Sequence, residues 1–114
     1  MDGLKEEQIE FLYLLAYLYM QQSKFDLALQ LFRILRLHTA KNMKIALALA
    51  SCLHKAKRFE EALKVLTSID HETLPHAQKV AYFYINSKIL WDLQQQEESR
   101  KMLHHYLKLR QVKE

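Results

Sequence analysis

Residues 23–32 and 57–66 carry the same pattern, and this repetition restricts the fold more than anything else in the chain. Phe25, Ala28 and Leu29 recur as Phe59, Ala62 and Leu63, each 34 residues later. The same interval pairs Leu15 and Ala16 with Leu49 and Ala50, and Tyr19 with Leu53. A period of this length marks one supersecondary unit that buries its apolar face only against its neighbours. The small residue in each of two successive helices has a steric reason. Ala16 and Ala28 allow two antiparallel helices to meet backbone to backbone, and Phe25 and Phe32 fill the space beside that contact.

The unit must be helical. The chain has 114 residues, half of them hydrophobic, with only one Gly and one Pro, so it lacks the turn residues that hairpins of strands require. At this length it is expected to be a single domain over 1–114. Six helices are predicted, over about 5–22 (after a flexible Met1-Asp2-Gly3), 25–38, 42–57, 59–69, 75–95 and 97–111. Glu6, Glu7 and Glu10 suit the positive end of the first helix, and Arg33, Arg36 and His38 the negative end of the second. Asn42 is a suitable N-cap for the third. The stretch from Asp70 to Pro75 is the clearest break, with Thr73 or Leu74 expected to cap the fifth helix and Pro75 in its first turn.

The helices form three repeats, over about 8–41, 42–74 and 75–111. The third is degenerate. Ser99 stands where Ala28 and Ala62 stood, Leu103 where Phe32 and Leu66 stood, and Asn86-Ser87 replaces Leu-Ala; its offset is 37 (99 − 62). Terminal repeats are commonly atypical because one of their faces meets water.

These residues resemble a tetratricopeptide protein: an all-α chain of three helical hairpins stacked as a short right-handed solenoid. No Gly occupies the turns at Ser23 and Lys57, and Ala40 stands where a Pro would close the first repeat. The length, the opening Glu7-Gln8-Ile9-Glu10-Phe11-Leu12 and the closing Tyr106-Leu107-Lys108-Leu109 are similar to the YscY (SctY) family of type III secretion chaperones. That resemblance implies a chaperone in the bacterial cytoplasm. It would hold a small exported partner of the YscX (SctX) type and present it to the cytosolic domain of the export gate, which would place it at the periphery of the inner membrane. A generic tetratricopeptide scaffold is the alternative.

In a tetratricopeptide stack the first helix of each repeat lines a concave groove. The first helix here carries two apolar stripes rather than one. Phe11, Leu12, Leu15, Ala16 and Tyr19 form the stripe assigned to packing; Tyr13, Tyr17 and Met20 form the other. The repeat offsets carry the second stripe to Leu47, Ser51 and His54, and then to Tyr84, Lys88 and Trp91. An amphipathic, aromatic groove of these nine residues suits a partner's helix or extended segment. The competing possibility is that they fill the core. An unoccupied groove would leave an apolar patch, so the isolated protein is expected to self-associate.

The net charge is +4, unevenly placed. Between Asp26 and Glu60 there is no acidic residue, whereas Arg33, Arg36, Lys41, Lys44, Lys55, Lys57 and Arg58 are basic. This stretch either docks an acidic surface or compensates helix dipoles and solvates the fold. A helical-repeat RNA reader is the reading from another class, but three repeats would read little and the charge is small.

No catalytic constellation, phosphate loop or cofactor motif is present, so an enzyme is not expected. The six histidines show no zinc-site spacing: His104 and His105 point apart on a helix, and His71 and His76 have only Asp70 and Glu72 for company. Cys52, the one cysteine, reads as a small packed residue in a reducing compartment. The apolar run 9–20 is too short to span a bilayer and lacks the features of a secretory signal.

Overall fold

The computed structural model describes residues 3–111. Met1 and Asp2, expected to be flexible, lie outside the described residues. Among the described residues six α-helices follow one another: α1 (Glu6–Gln21), α2 (Phe25–His38), α3 (Met43–Lys55), α4 (Phe59–Thr67), α5 (His76–Asp92) and α6 (Gln96–Arg110), with a turn of 3₁₀ helix at His71–Thr73. α1 pairs with α2, α3 with α4, and α5 with α6; the hairpins then stack through α2 on α3 and through α3 and α4 on α5. The chain is all-α, three consecutive hairpins around one continuous apolar core.

The small residues sit where the repeat requires them. Ala16 and Ala28 are fully buried in the first hairpin, as are Ala50 and Ala62 in the second. In the third hairpin Ser87 and Ser99 occupy these places. The Ser99 hydroxyl donates to the Ser87 carbonyl at 2.6 Å, and the Ser87 hydroxyl to the Tyr84 carbonyl at 2.7 Å. A serine can thus replace alanine at the contact because the helix backbone satisfies its one polar group.

The three hairpin turns share one geometry. Ser23, Lys57 and Gln94 have φ of 62°, 65° and 63°, in the left-handed region, at positions related by the repeat offsets. Each turn closes with the same pair of bonds. Ser23 N–H donates to the Met20 carbonyl (3.0 Å) and Lys24 N–H to that of Tyr19 (2.9 Å); the later turns repeat this from Lys57 and Arg58 and from Gln94 and Gln95. This is the Schellman ending that glycine adopts most readily. A side chain there costs about 1–2 kcal/mol, partly offset by the freedom that glycine has in the unfolded chain. Ser23→Gly, Lys57→Gly and Gln94→Gly together are therefore expected to raise stability by about 1–2 kcal/mol, measured by denaturant titration.

Other ends match their sequence. The Asn42 side chain caps α3, accepting from Ile45 N–H at 3.3 Å, and Gln8 accepts from Lys5 N–H at 2.9 Å before α1. The start of α5 differs from expectation. Pro75 itself is the N-cap and His76 the first helical residue. Thr73 is already engaged, its hydroxyl donating to the Asp70 carbonyl at 2.8 Å, and Leu74 is drawn into the core.

Phe11 also departs from expectation. It was assigned to the packing stripe of α1, yet it is exposed together with Leu14 and Leu18. The side of α1 that meets α2 and the core carries Leu12, Tyr13, Ala16 and Tyr19 instead.

Candidate protein-binding cleft

α5 faces α3 with short side chains. Ala77 and Ala81 recur at i and i+4, too small to fill the space opposite Leu47 and Ser51. The result is an open cleft of about 410 Å³ between α1, α3 and the first half of α5. Tyr13, Tyr17 and Met20 wall it on α1; Lys44, Leu47, Ala48 and Ser51 on α3; Ala77, Gln78, Ala81 and Ile85 on α5. Five of the nine groove residues expected from sequence come together here: Tyr13, Tyr17, Met20, Leu47 and Ser51.

The walls differ in how firmly they are held. Met20 and Leu47 are buried and belong to the core as much as to the cleft. Tyr13 packs edge-on against the buried Phe32, ring centres 6.2 Å apart, and lies 6.1 Å from the ring of Tyr17. Burial, reinforced by Tyr17 and Glu10, pushes the Tyr13 phenol up, so the hydroxyl stays neutral. Tyr17 is 41% exposed and presents its ring to solvent at the cleft. The Lys44 ammonium lies 4.8 Å from the centre of the Tyr13 ring. The floor is therefore apolar, one wall is aromatic, and a cation stands at the edge.

The other expected groove residues lie elsewhere. Tyr84, Lys88 and Trp91 line a second cleft of about 350 Å³ with Ser99 and Leu103 of α6, on the outward end of the third hairpin. His54 bridges the stack. Its Nε2 is 2.6 Å from an Asp92 carboxylate oxygen, and its ring packs 5.5 Å from that of Phe59. The α5 side of the first cleft was not anticipated: Ala77 and Ala81 precede Tyr84 by two turns and one turn on the same face, before the three positions that the offsets carry onto α5, and Gln78 and Ile85 lie beside them. The i, i+4 pair of alanines in an otherwise bulky helix was the signal that could have revealed it.

The basic stretch divides between two sides of the stack. Arg33 pairs with Glu61 at 3.2 Å, Arg58 with the same carboxylate at 2.8 Å, and Arg36 donates to the Ser68 hydroxyl at 3.0 Å. The Arg33 and Arg36 contacts join α2 to α4 and its C-terminal end, and the Arg58 pair is local to the start of α4. Lys44 stands at the cleft, and Lys55 lines a second hollow of about 420 Å³ beside Tyr17 and Met20. Lys41 and Lys57 are exposed in turns.

Cys52 is fully buried on α3. Burial pushes its thiol up to about 11, against weaker lowering by Arg33 and Lys55. At neutral pH the reactive thiolate is then only about one part in ten thousand. The native protein is expected to react with a disulfide reagent orders of magnitude more slowly than the unfolded chain, with a rate that climbs until the pH approaches that of the shifted thiol. Stopped-flow labelling checks this.

Among the described residues there is no group of three or more His, Cys, Asp and Glu side chains placed to hold a metal ion, and no helix long and apolar enough to cross a membrane. The family model of the SusR N-terminal TPR domain matches residues 16–113. The match carries nothing specific to the YscY chaperones or to type III secretion. No curated protein matches the chain.

Proposed function

The chain belongs to the SusR N-terminal TPR domain family, and from that premise we propose that it is a protein-interaction scaffold that grips a partner segment in the α1–α3–α5 cleft. The observation that carries this is the cleft itself: an apolar floor, an exposed aromatic wall at Tyr17 and one cation at Lys44, on the face formed by the first helices of the repeats. Such a surface takes an amphipathic helix or extended strand with one or two large apolar anchors. Lys44 favours an acidic residue next to the anchor.

A photo-crosslinking residue at Ser51, on the cleft, tests this against the same residue at Lys64, on the outer helix α4. The expected result is a partner adduct at Ser51 that disappears on Tyr17→Ala and is absent at Lys64. Equal adducts at both positions, or adducts at Lys64 alone, would overturn the reading.

The narrower possibility, a type III secretion chaperone of YscY type carrying a YscX-type partner to the export gate, is supported only by the chain length and by the stretches Glu7–Leu12 and Tyr106–Leu109. The family match favours the general scaffold. A YscX-type protein as the crosslinked partner would establish the narrower role. The basic residues offer little to RNA, since Arg33 and Arg58 are paired with Glu61.

A further inference from the structure

We propose that the two ends of the stack are complementary and that copies of this chain associate head to tail. The repeat itself provides the evidence. Phe11, Leu14 and Leu18 of α1 correspond to Ile45, Ala48 and Cys52 of α3 at the 34-residue offset, and to Tyr82, Ile85 and Ile89 of α5 at the next. In α3 and α5 these positions are buried or nearly so; in α1 they are exposed, Phe11 at 65% against 2% for Ile45. Tyr82, the counterpart of Phe11, stacks on His71 of the preceding repeat with ring centres 5.1 Å apart, so this side of a first helix looks towards the preceding repeat. Among the described residues no helix precedes α1.

The other end shows the reciprocal vacancy of contacts. Phe32 and Leu66 are fully buried, whereas their counterpart Leu103 is 41% exposed. Met20 is buried and His54 mostly so, whereas their counterpart Trp91 is exposed. The second cleft, with Tyr84, Trp91 and Leu103, lies where a next first helix would rest. The side of α1 that bears Phe11, Leu14 and Leu18 is the repeat equivalent of the surfaces that already fill such positions twice within the chain.

Charge selects the same pairing. Glu6, Glu7 and Glu10 surround Phe11 and Leu14 in one hollow. At the other end the Lys88 ammonium lies 5.0 Å from the Tyr84 ring, and the Arg110 guanidinium lies 5.6 Å from the Tyr106 ring, which is 4.9 Å from that of Tyr84; Asp92 also lines this cleft, but its carboxylate is engaged by His54 at 2.6 Å. An acidic apolar face and a basic apolar face attract each other and repel their own kind. A contact between unlike faces is heterologous and leaves a free face at each end, so it grows until it closes or is limited by concentration.

The test is sedimentation of the full chain and of two variants, one with Phe11→Glu and Leu14→Glu, the other with Trp91→Glu and Leu103→Glu. Wild type is expected to form species that lengthen with concentration. Each variant alone should be monomeric and should melt like wild type at low concentration. Mixed together they should form a one-to-one complex, because each retains one intact face. A wild-type monomer at the highest usable concentration, a single variant that still dimerises, or a mixture that stays monomeric would each overturn the proposal. Should a variant fail to fold, Glu7→Lys with Glu10→Lys gives a milder probe. It should weaken association about tenfold and be compensated by Lys88→Glu with Arg110→Glu in the other copy; no compensation would overturn the proposal. Ala77→Trp, which fills the partner cleft, should leave self-association unchanged, so failure here and failure of the scaffold reading are distinguishable.

Discussion

Phe32→Ala is expected to destabilise the fold by about 3–5 kcal/mol, Leu66→Ala by about 2–5 kcal/mol, and Leu103→Ala by less than about 1 kcal/mol. The three residues occupy one position of the repeat. The first two are fully buried between hairpins, and the third is 41% exposed at the end of the stack. Truncating Phe32 also removes the edge contact that steadies Tyr13. A large aromatic lost from a close-packed site leaves a cavity that the stiff helix pairs on either side close only in part. For a domain whose whole stability is on the order of 5–15 kcal/mol, the Phe32 variant should be partly unfolded at moderate temperature. Urea titrations of the three variants check the ranking. Equal losses at all three would mean that the repeats do not stack in the register described above.

The fold was legible in the sequence because the repeat leaves its mark in small residues and turns as well as in apolar ones. Ala16, Ala28, Ala50 and Ala62 are informative because only a close helix contact requires them, and all four are fully buried. The turns were harder to read. Ser23, Lys57 and Gln94 adopt a backbone that favours glycine, and no glycine announces it. The candidate cleft was legible on α1 and α3, where the 34-residue offset holds, so Tyr13, Tyr17, Met20, Leu47 and Ser51 meet in one hollow. It was not legible on α5. There the offset stripe of Tyr84, Lys88 and Trp91 lines the second cleft, against α6, and the first cleft is completed one to two turns earlier on the same face of α5, at Ala77 and Ala81. An apolar stripe shows that a surface seeks a neighbour; it does not show whether the chain supplies one. Phe11 was misassigned for the same reason.

Tyr17→Ala is expected to weaken capture of the partner by about 2–4 kcal/mol, or roughly 30- to 1,000-fold. The melting temperature should hardly change, since the ring is 41% exposed and the core closes beneath it at Ala16 and Met20. Ala77→Trp approaches the same cleft from the opposite wall. It adds bulk at an exposed position and removes nothing from the core, so it should block binding while the fold persists. The control is Ala62→Leu, which has no room at the hairpin contact and should cost about 1–3 kcal/mol of stability or more. Calorimetric titration with the crosslinked partner, beside thermal melts of each variant, separates the two kinds of effect. If Tyr17→Ala melts as badly as Ala62→Leu, Tyr17 is a core residue and the cleft is packing.

Backbone hydrogen exchange of the protein with and without the crosslinked partner tests most directly that the cleft is the binding site. New protection should appear over residues 13–20 of α1, 44–51 of α3 and 77–85 of α5, the three walls of the cleft. Protection confined to α2, α4 and α6, with those three segments unchanged, would contradict it.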